Sequence, residues 1–222
     1  MSDRYRKLYG VFCALFLAIL ILGVSPAQAV TLPDPALDPI AAGGQTIVLA
    51  GGCFWGVQGV FSHVKGVTKA VSGYAGGSAD TAHYETVSTG TTGHAESVQV
   101  TYDPSRISLG QILKIYFSVA HDPTELNRQS PDSGTQYRSA IFATTSDQQK
   151  TAEAYIDQLQ KAKVFSAPIV TTVQPLKGFY PAEDYHQDFY KLHPDNPYIL
   201  FNDRPKVAAL KKEFPQFYIE AQ

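Results

Sequence analysis

Cysteine is scarce in this chain: 222 residues hold two, Cys13 and Cys53. Tryptophan is scarcer, with Trp55 alone. There is no block of basic residues, no internal repeat and no low-complexity tract, and only one long apolar run, near the N-terminus. Each absence excludes something. A chain without a basic stripe is not built for nucleic acid. A single apolar run excludes a bundle of many membrane-spanning helices. Two cysteines are too few for a disulfide scaffold.

Arg4, Arg6 and Lys7 precede an apolar stretch from Leu8 to Val24, and Pro26-Ala27-Gln28-Ala29 follows it. Basic, apolar, then small-x-small is the order of a secretory signal peptide cut after Ala29. The other reading is an uncleaved N-terminal membrane anchor, since about 17 residues is at the short end for a span. The expected location is periplasmic or secreted, with membrane anchoring as the alternative. Removing 29 of 222 residues leaves 193 and takes away three bases and one acid, so 15 Lys+Arg then face 19 Asp+Glu. That length suits one domain, and 44% hydrophobic residues can fill its core. Residues 30–44, rich in Pro, Ala and Gly, are expected to be a linker, and 45–222 the domain.

After signal removal Cys53 is the one cysteine left, so no internal disulfide can form. A leftover cysteine in an exported protein is a reactive thiol, an intermolecular link or a buried inert hydrophobe. Its surroundings, Gly51-Gly52-Cys53-Phe54-Trp55-Gly56, favour the first. Thr46–Ala50 is a short apolar run, hence a buried strand. Trp55, Val57, Val60, Phe61 and Val64 recur at helical spacing. Strand, glycine turn, helix places Cys53 at a helix start, where free N–H groups and the helix dipole favour a thiolate.

Further strands are expected at 67–74, 97–102, 140–143 and 168–173. Helices are expected after Ser108, with Gln111 completing a capping box, and after Ser146, with Gln149. A short helix is expected around 182–190, and the proline-bearing tail is expected to be loop. The order β-α-β-β-α-β, then α-β, predicts an α+β fold: a split β-α-β (ferredoxin-like) two-layer α/β sandwich, its antiparallel sheet covered by helices on one face, with an added helix, strand and irregular C-terminal tail.

Several residues could carry chemistry. Phe54 and Trp55 could wall an apolar pocket beside the sulfur, or simply fill the core. Glu96, among apolar neighbours at a strand start, would stay protonated if buried and could donate a proton; a solvated strand-end charge is the plainer alternative. His94 could be a base or a structural hydrogen-bonder. Asp132 and Tyr137 lie in a polar loop of the kind that serves sites, or make a turn with Arg138 paired to a surface acid. Tyr84 is a further phenol in a loop. Glu183-Asp184-Tyr185-His186-Gln187 brings acids and a histidine together, but at neither zinc spacing. No metal or cofactor is expected.

Six blocks together resemble the A-type peptide methionine sulfoxide reductases: Gly52-Cys53-Phe54-Trp55-Gly56, Ser72-Gly73-Tyr74, Thr92-Gly93-His94-Ala95-Glu96, Tyr102-Asp103-Pro104, Gly134-Thr135-Gln136-Tyr137-Arg138-Ser139 and Tyr185-His186-Gln187. They stand in the family's order across roughly residues 46–190. The resemblance implies reduction of methionine S-sulfoxide, protein-bound or free, with 45–222 as the catalytic domain. It makes Cys53 the nucleophile and Glu96 the proton donor. Phe54 and Trp55 would hold the sulfoxide methyl. Tyr84 and Tyr137 would hydrogen-bond the sulfoxide oxygen, and Asp132 would order the polar side of the pocket. Ser130-Pro131 stands before Asp132 where many members carry glycine with asparagine. Thiolate attack would expel the oxygen and leave a sulfenic acid on Cys53.

Many family members carry resolving cysteines near the C-terminus, and this tail has none. An external thiol, from glutathione, glutaredoxin or a thioredoxin-like protein, would therefore recycle Cys53. The partners implied are oxidised protein or peptide methionine and that reductant, acting on a monomer. Rival classes are a cysteine hydrolase using His94 or His186 as base, a thiol peroxidase, and an exported binding domain with an inert Cys53.

Overall fold

The computed structural model describes residues 32–220. The expected signal peptide at 1–29, with Cys13 inside it, lies outside the described residues. No helix among the described residues is long and apolar enough to cross a membrane.

The chain runs β1 (Gln45–Ala50), α1 (Phe54–Ser62), β2 (Val67–Ala75), α2 (Tyr84–Val87), β3 (Ala95–Tyr102), α3 (Leu109–Ile115), β4 (Arg128–Gln129), β5 (Asp132–Ser133), β6 (Ala140–Ala143), α4 (Ser146–Ala162), β7 (Thr172–Pro175), β8 (Phe179–Pro181), α5 (Phe189–Leu192) and α6 (Arg204–Glu213). Six strands form one sheet in the order β7-β6-β1-β3-β2-β8. Its central four, β6-β1-β3-β2, pair antiparallel. This is the expected split β-α-β core, extended at both edges. One pair departs from the expected antiparallel sheet: β7 joins β6 in parallel, because α4 carries the chain back across the sheet between them.

Alternation decides what each strand presents. Ile47 and Leu49 of β1, Val98, Val100 and Tyr102 of β3, and Ile141 of β6 face the main core with α1, α3 and α4. Val48, Ala50, Ala75, Ala95, Ala140 and Phe142 form a thinner second layer, against which Leu176 and Phe179 pack. The continuous apolar run in β1 follows from being covered on both sides. Glu96 shares the parity of Val98 and Val100, so the core face of β3 ends in a carboxyl.

The Ser108–Gln111 capping box forms as expected. At α4 the cap lies one residue earlier: Thr145 accepts from the Gln148 N–H at 3.2 Å. The strand expected at 168–173 is shifted to 172–175, where it pairs with β6. The helix expected at 182–190 is a 3₁₀ turn (Asp184–His186) followed by α5. The tail is not loop. Pro205 sits in the first turn of α6, where a missing N–H costs nothing, and Val207, Leu210 and Phe214 dock on the main core. The described part of the 30–44 segment has no helix or strand, yet it is fastened: Leu32 is buried, Tyr155 donates to the Pro33 carbonyl, and Asp38 accepts from Ser108 and the Gly110 N–H.

Candidate active site

β1 ends in Gly51-Gly52, and Cys53 is the N-cap of α1. Both glycines are required by their neighbours. A Cβ on Gly51 would lie 2.8 Å from the His121 ring, and one on Gly52 would lie 2.5 Å from the Gln129 side chain. Gly52 also has φ +88°, a region L side chains rarely adopt. The neighbours cannot easily yield. His121 is bonded through Nδ1 to the Tyr116 carbonyl and through Nε2 to Ser139 Oγ, at 3.2 and 2.7 Å. Gln129 is bonded through both ends to the Asp122 backbone. Burial pushes the His121 pKa down to about 3, so it serves as a neutral strut. Replacing Gly52 by alanine should cost about 2 kcal/mol or more from strain and collision. The thermal midpoint should fall and turnover should drop with it as Cys53 is displaced; a variant of wild-type stability would show that the turn can relax.

Cys53 is buried, 9% exposed. Its ionisation is not favoured as expected from the helix start alone. Desolvation pushes the thiol pKa well up, and the charges of Glu96 and Asp203 push the same way; the Trp55 amide and Lys206 oppose them and lose. The helix-end effect is worth a kcal/mol or so, less than removing a thiolate from water. In the unliganded site Cys53 is a thiol.

Glu96, 3% exposed, accepts the Phe54 N–H at 3.1 Å. That bond favours the carboxylate, but burial outweighs it and the pKa rises to about 8. A protonated carboxyl therefore stands at the first turn of α1, one residue from the sulfur. The solvated strand-end alternative is excluded by its burial.

Phe54 and Trp55 form one wall with residues from the C-terminal third. Trp55 stacks on Phe189, centroids 3.7 Å apart and 8° from parallel, and meets the Tyr198 ring edge-on at 5.8 Å. Its Nε1–H donates to His186 Nδ1 at 3.2 Å. His186 also lies 5.0 Å from the Phe54 ring and 4.4 Å from that of Tyr84. Tyr84 begins α2 rather than lying in a loop, and Glu183 fixes it by accepting its N–H at 2.9 Å. Tyr137 ends a 3₁₀ turn, Thr135–Tyr137. Burial raises its phenol pKa, as do Glu96, Asp132, Cys53 and Tyr84, so Tyr137 is a neutral donor beside all four. Asp132, on β5, accepts a hydrogen bond from the Tyr198 hydroxyl.

The structure thus brings Cys53, Phe54, Trp55, Tyr84, Glu96, Asp132 and Tyr137 to one end of α1. The sequence reading missed Tyr198, Phe189, Asp203 and Lys206. Pro205 and the 207, 210, 214 apolar spacing signal the helix that carries Lys206 and is capped by Asp203. His94 is structural: Nδ1 accepts the Gly77 N–H and Nε2 bonds the Ser78 carbonyl. Among the described residues Arg138 pairs with no surface acid; it donates to the carbonyls of Gly93, His94 and Thr135. His94 is so occupied at both nitrogens, and His186 accepts from Trp55 at Nδ1 while its buried Nε2 has no partner among the described residues, so neither ring is hydrogen-bonded to Cys53. Among the described residues, no three His, Cys, Asp or Glu side chains are placed to share a metal ion.

Residues 45–217 match the family model described as peptide methionine sulfoxide reductase. The chain is 66% identical over 183 residues to peptide methionine sulfoxide reductase MsrA 2 of Mesorhizobium japonicum, covering 82% of this chain and 94% of that one. It is 50% identical over 196 residues to the MsrA 2 of a Synechocystis species, covering 86% and 91%. Among solved structures it is similar to reduced Mxr1 of Saccharomyces cerevisiae, with TM-score 0.64 and 32% identity over 74% of this chain and 93% of that one. It is also similar to methionine sulfoxide reductase A of Corynebacterium diphtheriae, with TM-score 0.59 and 33% identity over 74% and 84%. The chain is an oxidoreductase and belongs to the peptide methionine sulfoxide reductase family.

Proposed function

We propose that this chain reduces the S epimer of methionine sulfoxide in oxidised proteins and peptides, through a sulfenic acid on Cys53 that an external thiol recycles. The observation that carries this reading is the convergence, at one helix end, of a thiol, a protonated carboxyl and an aromatic wall. The sulfoxide methyl lies against Phe54 and Trp55. Its oxygen points to Glu96, Tyr84 and Tyr137, while Asp132 and Tyr198 hold the polar side. Hydrogen bonds aimed at an oxygen that gains negative charge make the neighbouring sulfur electrophilic.

Cys53 attacks that sulfur as its own proton leaves. The oxygen takes the proton released by Cys53 and one from Glu96 and departs as water; a water then bonds to the cysteine sulfur as methionine leaves, and it returns a proton to Glu96. The net change moves one oxygen from methionine to Cys53. Proton transfer to the oxygen offsets the high thiol pKa, because the charge formed on one sulfur is consumed on the other. No cysteine occurs between residues 54 and 222, so the sulfenic acid awaits a thiol from outside: glutathione, glutaredoxin or a thioredoxin-like protein. If the N-terminal segment directs export, that thiol is supplied outside the cytosol.

The test uses each epimer of a methyl sulfoxide with the protein, with and without dithiothreitol. Turnover of the S epimer alone, strictly dependent on thiol, is expected. One equivalent of substrate without thiol should yield one equivalent of sulfide and a dimedone-trapped sulfenic acid at Cys53 by mass spectrometry. Turnover of the R epimer, or hydrolysis without reductant, would sink the reading.

A further inference from the structure

Asp203 is the N-cap of α6 and Lys206 stands on its first turn; neither has a role in the reading above. Asp203 is fully buried, and its Oδ2 has no hydrogen-bond partner. Its Oδ1 meets Lys206 Nζ at 3.3 Å, and the lysine side chain is 19% exposed. Both press on α1 at Gly56: a Cβ there would lie 2.1 Å from Asp203 Oδ1 and 2.8 Å from Lys206 Nζ. Cys53 is the N-cap of that helix and Gly56 its third residue. An N-cap side chain lies over the second and third amides of the helix it starts, and residues three apart share a face at roughly 5–6 Å. The buried pair therefore adjoins the sulfur. The charges of both groups bear on Cys53, and Lys206 is the cation opposing Asp203 and Glu96 there.

We propose that Lys206, anchored by Asp203, serves the recycling half of the reaction: its ammonium draws an incoming thiolate onto the Cys53 sulfenic acid and protonates the departing hydroxide. This rests on the functional reading above. The reduction half already has its donors in Glu96, Tyr84 and Tyr137, and its substrate is neutral. The incoming thiolate is anionic and enters a site that holds the carboxyls of Asp132 and Asp203. A cation reaching from solvent to the sulfur answers that need. In the step, the thiolate sulfur bonds to the Cys53 sulfur and the S–O bond breaks. The hydroxide takes a proton from Lys206 and leaves as water, and Lys206 regains a proton through its exposed side. A second thiol then reduces the mixed disulfide, releasing Cys53 and an external disulfide. Asp203 is a positioning residue that keeps the ammonium over the first turn of α1.

The test measures the two half-reactions separately. The first is methionine formed in one turnover without thiol; the second is mixed-disulfide formation when the sulfenic form meets glutathione, followed by mass spectrometry. In Lys206→Met the ratio of second to first rate should fall at least tenfold, and Lys206→Arg should restore most of it. The loss should be larger with anionic glutathione than with cationic cysteamine. For wild type, with no variant needed, about 0.5 M salt should slow the second step and spare the first. Equal slowing of both halves in Lys206→Met, or a second step indifferent to Lys206 and to salt, would overturn the proposal. Should wild type form no sulfenic acid from the sulfoxide, the functional reading fails instead, a different and earlier signal.

Discussion

Replacing Cys53 by serine should abolish reductase turnover, by at least ~10⁴-fold, while leaving the fold as stable as before or more so. The loss follows from chemistry. A hydroxyl at that position is a far weaker nucleophile than a thiol, and oxygen cannot take up the sulfoxide oxygen as sulfur does. No other cysteine stands between residues 54 and 222 to substitute. The stability expectation follows from position. Cys53 is an N-cap that makes no side-chain capping bond, whereas serine is among the preferred N-caps and its oxygen accepts a second- or third-residue N–H, worth ~1 kcal/mol. A reactive sulfur is held here where a better cap would fit, the pattern expected of a residue kept for function at a cost to stability. Thermal melts and single-turnover assays on the same preparation check both halves. Residual thiol-dependent turnover above the ~10⁻⁴ level would remove Cys53 from the mechanism, and a large fall in melting temperature would show that the sulfur is a packing element.

The parts of this site that were legible from sequence are those fixed by local pattern. Thr46–Ala50, two glycines and the 55, 57, 60, 61, 64 spacing put Cys53 at a helix start without knowledge of the rest. Alternation over 97–102 marked Val98 and Val100 as one face of β3, but whether Glu96 joined it or stood solvated at the strand end was left open until the structure showed its burial. What stayed hidden depends on distant chain. Tyr198, Asp203 and Lys206 reach Cys53 only because α6 folds back on α1, and the prolines around them read as breakers although Pro205 opens a helix. The sign of the Cys53 shift was hidden for the same reason. The helix end acts locally and favours the thiolate, while desolvation and the two carboxyls come from β3, α6 and the burial they create together. Likewise β7 starts four residues later than its apolar run suggests, because its register is set by β6 rather than by its own composition.

Replacing Glu96 by glutamine should lower kcat by ~10²–10³ and erase the alkaline limb of the pH profile. A positioned acid contributes ~10²–10⁴, and glutamine keeps a hydrogen-bond donor but has no proton to give. In wild type the donor is the neutral carboxyl, so activity is present below its pKa and declines as pH rises through about 8. The same proton links to stability. Folding holds it more tightly than the unfolded chain does, so its contribution is complete below the ordinary carboxyl pKa and is lost as pH climbs to about 8. Against a glutamine variant, which has nothing to titrate, wild-type stability should therefore fall by an amount on the order of 5 kcal/mol between about pH 4 and about pH 9. Denaturant titrations of both proteins across that window measure the difference directly. A difference flat with pH would mean that Glu96 is ionised in the folded protein and cannot be the donor, and the sulfoxide oxygen would then have to take its proton from Tyr84 or Tyr137.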